Sequence, residues 1–293
     1  MAGLSAGHGA VRLTRMRADL ARTARVNPSL VAGGAMIGIL VFVAVFGPLL
    51  ERYPADLPDG SASLQPPGME HWFGTDTSGF DVFSRVVAAA RVDLFIGLAG
   101  TLIAMTIGGI IGIGIAFAGG VVDTLVSRTA DLLQSIPMFV TALLLVMLFG
   151  QRVSNIIVAI TVVYLPLYVR TFRTETRVVM ERGFVRSARI SGASTRRIAI
   201  SHVLPNAMPP ALGLWATSVG WAILMATGLG FVGAGLKPPT AEWGSMISGG
   251  ASLVITGQWW VALFPGLAIV FTVGAFTLLS EGLEQAFDPR ARR

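Results

Sequence analysis

The sequence contains no cysteine, which excludes disulfide bonds, thiolate metal sites and cysteine nucleophiles. It is also poor in charge: only 13% of its 293 residues are charged, whereas about a quarter are charged in soluble domains. Hydrophobic residues make up 53% of the chain. This composition predicts a membrane protein, and the length leaves room for about six spans of ~20 residues with their loops.

Groups that usually perform catalysis are scarce as well. The only lysine, Lys237, is followed by proline and cannot complete a nucleotide-binding P-loop, which needs the pattern G-x-x-x-x-G-K-[ST]. The three histidines, His8, His71 and His202, fall in a tail and in loops on opposite sides of the predicted membrane, so they do not converge on one site. We expect no catalytic residue, metal ligand or cofactor site in this chain. If ATP drives the protein, ATP and Mg²⁺ are bound by another polypeptide.

Six apolar segments predict the membrane spans. No side chain in them is ionisable except tyrosine, whereas carriers coupled to protons or sodium usually place acids or bases inside the membrane. The segments therefore favour packed helices around a neutral path over an ion-coupled transporter, although a channel or a membrane scaffold fits the same spans. The predicted spans are Ser29–Leu50, Leu94–Phe117, Leu132–Phe149, Val153–Val169, Ala207–Leu236 and Trp259–Ser280.

The distribution of arginine predicts the orientation in the membrane. Counting spans places the N-terminal tail, the connection 118–131, the loop 170–205 and the C-terminal tail on one side. These segments hold five, one, eight and three arginines respectively. Positively charged loops stay in the cytoplasm, so we expect both termini inside. Because the charges cluster between spans, topology explains the net charge of +6 better than nucleic-acid binding does.

One of these arginine clusters, Gly183–Pro205, predicts two short helices. We expect the first over Phe184–Ile190, because Gly192 then supplies the left-handed position that ends a helix at no steric cost. Ser194 is placed as the N-cap of a second helix that begins at Thr195. Judged by charge alone, the stretch is equally typical of an ordinary basic loop in the cytoplasm.

The order of residues in this stretch is more specific than its charge. Small residues followed by a glycine and then by a leucine-proline pair resemble the E-A-A…G…L-P signature of ABC importer permeases. In that family the loop docks into a cleft on a cytoplasmic ATPase, and here Arg186 stands at the position of the family's acidic residue. The residues that the resemblance assigns to ATPase coupling are Phe184, Val185, Arg186, Ser187, Ala188, Arg189, Gly192, Ala193, Ser194, His202, Leu204 and Pro205.

A second stretch with a local pattern lies at the end of the acidic loop after the first span. Ser78 and Asp81 have the spacing of a capping box, and Asp81 and Arg85 are spaced for an i,i+4 ion pair. A metal site is an alternative for His71, Asp76 and Asp81. Capping and pairing already explain both aspartates, so we expect no metal there.

This stretch reads H-x-x-G-T-D-x-x-G-x-D-V-x-S-R and leads into a span, which resembles the C-type permease subunit of dipeptide, oligopeptide and nickel importers. Phe80 departs from the pattern, since the family usually has arginine there. Pro238–Gly244 and Leu263–Leu267 resemble the same family, and together the resemblance covers roughly Val31–Arg290. The residues that carry it in this loop are His71, Gly74, Thr75, Asp76, Gly79, Asp81, Ser84 and Arg85.

The resemblance implies an all-α, polytopic membrane protein with six transmembrane helices, the type I ABC importer permease fold and a cytoplasmic coupling helix. The path for the substrate would be lined by spans two to five. The implied domains are a cytoplasmic tail 1–28, a first transmembrane helix 29–50, an extracytoplasmic loop 51–91 with a short interfacial helix, a permease core 92–285 of five transmembrane helices with the coupling loop 183–205, and a cytoplasmic tail 286–293.

The resemblance also implies the partners and the substrate. In the bacterial cytoplasmic membrane such a chain forms a heterodimer with a second permease subunit. It works with two cytoplasmic ABC ATPase domains and an extracytoplasmic substrate-binding protein. The implied function is import of di- or oligopeptides by alternating access, with ATP hydrolysis carried by the ATPase subunits. Nickel complexes and glutathione are alternative substrates in the same family.

Overall fold

Helices make up most of the structure. The computed structural model describes residues 27–287, so residues 1–26 and 288–293 of the predicted tails lie outside the described residues. One isolated β-bridge, between Thr75 and Asp81, occurs in a loop. The helices of the described residues are α1 Pro28–Leu50, α2 Val82–Ala118, α3 Gly120–Gln134, α4 Met138–Phe149, α5 Val153–Met180, α6 Gly183–Ile190, α7 Thr195–Phe231, α8 Trp243–Ala251 and α9 Trp260–Phe287, with three-residue 3₁₀ turns at Gly60–Ala62 and Ser252–Val254.

Five of these helices, α1, α2, α5, α7 and α9, are long and apolar enough to cross a membrane. Helices α3 and α4 pass the same test only together, and they meet at a bend of 86°. Taken as one broken span, this pair brings the number of candidate spans within residues 27–287 to six. The all-α, polytopic class that the sequence predicts is therefore confirmed, with its third span broken.

The break in the third span lies at Pro137, inside the predicted segment Leu132–Phe149. Helix α3 ends at Gln134, and Pro137 has φ −53° and ψ 127°, outside the helical region. Proline lacks the N–H of a helical hydrogen bond and disfavours the α conformation of the residue before it. The predicted bounds were wrong because α3 begins at Gly120, within the expected connection 118–131, and ends at Gln134, and a second helix begins only after Pro137.

Helix α2 is longer than the predicted second span. It begins at Val82 and runs to Ala118 over 37 residues, so the short interfacial helix expected in the preceding loop is the first part of the spanning helix. Asp81 caps its N-terminus, because its side chain accepts a hydrogen bond from the backbone N–H of Ser84. No glycine or proline separates the two predicted pieces, so one continuous helix forms.

Helix α7 begins before the predicted fifth span, which was placed at Ala207–Leu236. From Thr195 it passes through a π-helical turn at Ala199–Val203 before the regular helix resumes. The wider turn lies just before Pro205, which cannot donate the hydrogen bond of a regular helix. The second half of the coupling loop, from Thr195, and the fifth span are therefore parts of one helix.

The end of α7 also differs from the prediction. The helix ends at Phe231, before the expected end at Leu236. Gly233 adopts φ 83°, and the N–H of Ala234 donates to the carbonyl of Leu229 at 2.8 Å. This left-handed cap satisfies a carbonyl of the last turn and ends the helix.

Helices α2 and α5 approach closely through glycine. A Cβ atom on Gly100 would lie 2.6 Å from Ile160, and one on Gly108 would lie 2.6 Å from Cβ of Tyr168. These distances leave no room for a side chain, so glycine sets the spacing between the two helices. Ile160, Tyr168 and Phe172 are at most 2% exposed at this contact.

The first and last helices, α1 and α9, also pack against each other. A Cβ atom on Gly33 would collide with the backbone of Leu279, and one on Gly282 would collide with the backbone of Leu30. The side-chain amide of Asn27, the N-cap residue of α1, donates to the carbonyl of Gly282 at 2.7 Å. The two ends of the described chain are thus joined by direct contact between helix backbones.

Candidate coupling hairpin and the loop motif of residues 71–85

The arginine-rich stretch folds as a helical hairpin, the coupling hairpin, made of α6 and the first turns of α7 (residues 183–203). Gly192 lies in its turn with φ 81°, in the left-handed region, as the sequence predicted. The N–H of Ala193 donates to the carbonyl of Ala188 at 3.0 Å, and the N–H of Gly192 donates to that of Arg189 at 3.1 Å. These bonds form a Schellman-type cap, so the glycine ends α6.

Ser194 begins the second helix of the hairpin. Its backbone is extended, with φ −64° and ψ 152°, and its Oγ accepts the N–H of Arg197 at 3.3 Å. The bond satisfies one of the N–H groups that a helix leaves open at its start. The predicted N-cap at Ser194 and helix start at Thr195 are confirmed, and the first helix begins one residue before its predicted start, at Gly183.

An apolar cluster fixes the coupling hairpin to the end of the bundle. Val185 of α6 and Ile198 and Val203 of α7 are 0%, 2% and 0% exposed. They pack with Val179 near the end of α5 and with Phe117 near the end of α2. Full burial of such a side chain contributes about 1.5–3 kcal/mol, so the hairpin is a firmly attached part of the bundle.

The outer face of α6 is apolar and basic. Phe184 is 43% exposed and Ile190 is 89% exposed, while Arg186 Nη2 pairs with Glu181 Oε2 at 2.8 Å. Large apolar side chains left exposed together are typical of a surface that another protein covers. Of the other predicted coupling residues, the exposed ones are Ser187, Arg189, Gly192, Ser194, Leu204 and Pro205, and the half-buried ones are Ala188, Ala193 and His202.

The loop motif of residues 71–85 folds into a compact turn at the start of α2. His71 Nδ1 lies 2.9 Å from Asp81 Oδ1, and both residues are buried. Asp81 Oδ2 accepts from the backbone N–H and the hydroxyl of Ser84 at 2.8 and 2.7 Å. Asp81 is therefore the N-cap. The predicted capping box that begins at Ser78 was wrong, because Gly79 adopts φ 84° and the backbone there is not helical.

Asp76 and Thr75 hold this turn together. Asp76 Oδ1 accepts from the N–H groups of Ser78 and Phe80 at 2.8 and 3.0 Å. The carbonyl of Thr75 accepts from the indole N–H of Trp260 at 3.1 Å, which joins the loop motif to the start of α9. Both residues therefore stabilise the folded loop through hydrogen bonds.

The two glycines of the motif have backbone roles. Gly74 and Gly79 adopt φ 73° and 84°, which side chains rarely allow. A Cβ on Gly74 would lie 2.6 Å from the Trp260 indole nitrogen, and one on Gly79 would collide with the carbonyl of Asp59. Within residues 27–287, no three His, Cys, Asp or Glu residues lie together as metal ligands would.

Arg85 does not form the ion pair that the sequence predicted. Its Nη1 donates to the carbonyls of Ala55 and Pro239 at 3.0 and 3.2 Å. Its guanidinium carbon lies 4.2 Å from the centre of the Phe80 ring. The prediction was wrong because the Asp81 carboxylate is already occupied by the two partners described above.

Comparison with protein families gives the class of the protein. Residues 104–293, which include the coupling hairpin, match the family described as Binding-protein-dependent transport system inner membrane component. The chain belongs to this family. Residues 17–67 of the permease match a second family, described as the N-terminal TM domain of oligopeptide transport permease C. The resemblance found in the sequence is confirmed: the protein is a permease of the ABC importer class.

The permease is similar to its relatives along most of its length. It is 36% identical over 265 residues to the Probable D,D-dipeptide transport system permease protein DdpC of Escherichia coli (strain K12), with 90% of this chain and 89% of the relative covered. The Dipeptide transport system permease protein DppC of Bacillus subtilis (strain 168) is 34% identical, with 94% and 86% covered. The Glutathione transport system permease protein GsiD of Escherichia coli O6:K15:H31 (strain 536 / UPEC) is 35% identical, with 87% and 84% covered. The relatives are named for different substrates.

Asp123, which the sequence analysis missed, joins two helices of the permease near the coupling hairpin. It is 4% exposed and accepts from Arg173 Nη2 at 2.8 Å and from Arg177. The bonds fix α3 to α5. The available signal was one acid at the start of α3 and two arginines spaced i,i+4 on α5, a spacing that places both on one helix face.

Glu242, also missed, anchors the connection between α7 and α8 of the permease. It is 2% exposed, and its Oε1 accepts from the N–H of Gly244 at 3.0 Å. Burial raises the pKa of the Glu242 carboxyl to about 7. A Cβ on Gly230 or Gly235 would overlap with its oxygens, so the glycines form a cradle around the carboxyl. The sequence signal was an acid that follows a glycine-rich segment by several residues.

The predicted spans contain no ionisable side chain except tyrosine, but the observed helix α2 does contain such residues. Because this helix begins at Val82, it includes Arg85, Arg91 and Asp93. Asp93, which directly precedes the predicted span Leu94–Phe117, is 0% exposed and accepts the backbone N–H of Trp243 at 3.0 Å. It therefore has a structural partner in α8.

Proposed function

We propose that this permease moves di- or oligopeptides across the bacterial cytoplasmic membrane by alternating access. It acts as one half of a heterodimer with a second permease subunit. Two cytoplasmic ATPase domains drive it, and an extracytoplasmic binding protein delivers the substrate. The description of its family, which names binding-protein-dependent transport, supports the proposal, as do the relatives named for dipeptides.

The coupling hairpin is the observation that carries the proposal. Helix α6 exposes Phe184 and Ile190 while Val185 holds it on the bundle. A partner that binds this face therefore moves α6 and the start of α7 together. Because α7 continues to Phe231, the movement passes directly into a helix long enough to span the membrane.

In this proposal ATP and Mg²⁺ bind to the partner ATPases, and this chain contributes no catalytic residue, metal ligand or cofactor site. The sequence supports the assignment, because its one lysine does not belong to a P-loop. The permease then contributes the path and the mechanical link, and the ATPases contribute the energy.

A cavity between α4, α5 and α7 supports a neutral path for the substrate. Its volume is about 480 Å³, and its lining includes Tyr164, Thr217, Ser218 and Trp221. The described residues that line it are uncharged. Most of the lining is apolar, and the Thr217 and Ser218 hydroxyls already donate to Ser280 Oγ and to the carbonyl of Leu214. Such a lining carries no fixed charge, as suits a zwitterionic peptide, which has no net charge.

We place the coupling hairpin and both termini in the cytoplasm, and the loop motif with α8 on the extracytoplasmic side. The arginine clusters support this orientation. The division into tails 1–28 and 286–293, an outer loop 51–91 and a permease core 92–285 belongs to the same proposal.

Glutathione is a second candidate substrate, because the relative GsiD is named for it. Glutathione carries two carboxylates and one amine, so it is an anion at neutral pH. The uncharged lining of the cavity favours a zwitterionic dipeptide over this anion.

Uptake by proteoliposomes tests the proposal. The permease is reconstituted with the second permease, the ATPases and the binding protein, and uptake of a labelled dipeptide is measured. We expect uptake to need ATP and to persist when the proton gradient is collapsed. Uptake driven by a pH gradient, without ATP or the ATPases, would contradict it. Accumulation of labelled glutathione or of a nickel chelate, with no uptake of dipeptide, would identify that compound as the substrate instead of a peptide.

A further inference from the structure

We propose that a groove between α2 and the first turns of α7 binds one anionic phospholipid of the cytoplasmic leaflet. An acyl chain of this lipid lies along the apolar groove, and its headgroup lies at Arg196. The proposal rests on the proposed function, because the orientation given there puts this end of α2 at the cytoplasmic surface.

Three helices form the groove. Its volume is about 610 Å³, and its walls come from the end of α2 (residues 105–117), from Phe172 of α5 and from the first turns of α7 (residues 195–208). Along α2 the lining runs from Met105 to Phe117, which is roughly 18 Å at 1.5 Å per residue. Half of the hydrocarbon core of a bilayer is about 15 Å thick. The groove is therefore about as long as one lipid leaflet is deep.

The lining of the groove is mostly apolar. Ile110 of α2 and Ile200 of α7 line it, and both are exposed. Gly114 leaves room beside them, because a Cβ at this position would meet no atom within 4 Å. Within a membrane, an apolar groove on the outside of a spanning helix is filled by acyl chains, which are as apolar as its own side chains.

The charge at the groove selects the headgroup. Of the described residues that line it, Arg196 alone is charged, and its side chain is exposed. No carboxylate oxygen of residues 27–287 lies within 4.0 Å of its side-chain nitrogens. Basic pockets between spanning helices on the cytoplasmic side typically bind anionic headgroups. An apolar groove with an arginine at its end therefore fits a negatively charged phospholipid.

The arginine lies at the cytoplasmic end of the groove, where a headgroup is found. Ile198, two residues after Arg196, packs with Phe117 near the end of α2. The opposite end of the groove is lined by Met105 and Met208, further along both helices. Headgroup and acyl chain thus have the same order along the groove as in the leaflet.

The lining also favours a lipid over the transported peptide. A zwitterionic peptide brings an ammonium group, and the described lining offers it no carboxylate. The cavity proposed for the substrate path lies elsewhere, between α4, α5 and α7. Because Ala199 and Ile200 belong to the π-helical turn of α7, a lipid in the groove contacts α2 and the coupling hairpin together.

Native mass spectrometry of the complete importer tests the proposal. The importer is released from nanodiscs that contain equal amounts of phosphatidylglycerol and phosphatidylcholine with the same acyl chains. We expect the unmodified importer to retain phosphatidylglycerol in preference. Arg196→Gln should shift the retained phosphatidylglycerol towards one molecule fewer per importer. Arg197→Gln is the matched control, because Arg197 is exposed on the same turn but does not line the groove.

A second variant tests the apolar part of the site. Gly114→Leu fills the groove without striking a neighbour, and we expect it to lose the same lipid molecule. Gly38→Leu is its control, since Gly38 is an exposed glycine on α1 with equal room and lies away from the groove. The same spectra show whether each variant still assembles with its partner subunits.

Unchanged lipid retention in Arg196→Gln and Gly114→Leu overturns the proposal. An equal shift in Arg196→Gln and Arg197→Gln also overturns it, because the lipid would then respond to the charge of the whole hairpin. Loss of the second permease from the Gly114→Leu complex, with lipid retention unchanged, overturns it too and makes the groove a subunit interface. Dipeptide uptake is measured separately: the expected lipid shifts without any uptake would support the lipid site and contradict the proposed function.

Discussion

His71 and Asp81 form a buried pair, with Nδ1 and Oδ1 2.9 Å apart, in the loop between the first two spanning helices. The imidazole ring also lies 4.6 Å from the ring of Tyr53, centre to centre. The carboxylate therefore has two tasks: it holds the histidine, and it caps α2.

Replacement of Asp81 by alanine is expected to destabilise the permease by about 2–4 kcal/mol. Loss of a helix cap costs about 1 kcal/mol, and buried donors left without an acceptor cost about 1–3 kcal/mol. Asp81→Asn keeps an oxygen for Ser84 and should cost about 1 kcal/mol. Thermal unfolding in detergent measures both, with Glu70→Gln, an exposed change, as control. If a chelator blocks wild-type transport and Asp81→Asn reproduces the block, a metal site is indicated instead.

Gly192→Val is expected to weaken the association with the ATPase subunits. A Cβ there meets no atom within 4 Å, so the cost comes from φ 81° alone and amounts to about 1–2 kcal/mol for a β-branched residue. Pull-down of the ATPase and its stimulated activity report the effect. Ser194→Ala should act in the same direction but more weakly.

Gly183→Ala is the control for the hairpin turn, because Gly183 lies in α6 with open space around it and has no positive φ. It should leave assembly unchanged. Normal assembly and normal stimulated hydrolysis in Gly192→Val would exclude the coupling hairpin from the mechanism.

Arg186→Glu is expected to weaken assembly, although glutamate is the residue usual in the family that the sequence resembles. The Arg186–Glu181 pair is 67% and 78% exposed, so its loss alone costs little. The exchange Glu181→Arg with Arg186→Glu restores the internal pair. Pull-down of both variants shows whether the ATPase contacts residue 186 directly. Recovery of assembly in the double variant would mean that only the internal pair matters. Continued loss would mean that the ATPase contacts residue 186.

Glu242 is expected to make the stability of the permease depend on pH. Burial raises its folded pKa from 4.5 to about 7, so the folded carboxyl holds its proton more tightly than the unfolded one. Its contribution is therefore complete below about pH 4.5 and is lost as the pH rises to about 7, at about 1.4 kcal/mol for each pKa unit. Thermal unfolding between pH 4.5 and 8 should show this slope. Glu242→Gln should flatten it, whereas Glu70→Gln should not. The same slope in Glu242→Gln would assign it to other groups.

Labelling of single cysteines tests the orientation, and the natural chain gives no background because it has no cysteine. Ser61 and Ser187 are both exposed, on the loop before α2 and on α6 respectively. A membrane-impermeant thiol reagent applied to intact cells should modify Ser61→Cys and not Ser187→Cys. Lysed cells, in which both should react, provide the control. Modification of Ser187→Cys in intact cells would reverse the orientation.

Local features of the fold could be predicted from the sequence. Gly192 and Ser194 were placed correctly because a helix end depends on φ and on hydrogen bonds within a few residues. The partners of Arg85 were not, because Ala55 and Pro239 are 30 and 154 positions away in the chain. Tertiary contacts of that kind carry no local signal.

The bounds of the spans were predicted from hydropathy, which does not detect where backbone hydrogen bonding ends a helix. Hydropathy placed the third span across Pro137, because apolar side chains continue on both sides of it. The missing proline N–H stopped the helix all the same. The burial of Asp93 and Glu242 was not predicted, because hydropathy alone assigns polar residues to positions outside a span. The groups that surround them, the α8 N-terminus for Asp93 and the glycine cradle for Glu242, form only in the folded bundle.

The bond from Asn27 to Gly282 joins positions that are 255 residues apart. During synthesis α1 enters the lipid first, and the backbone that packs against Gly33 is made last. Until α9 is inserted, Gly33 of α1 therefore has no helix packed against it in the membrane. A premature stop codon before Trp260 would leave the Gly33 face of α1 without the helix that packs on it, so we expect the truncated product to be less stable than the full permease.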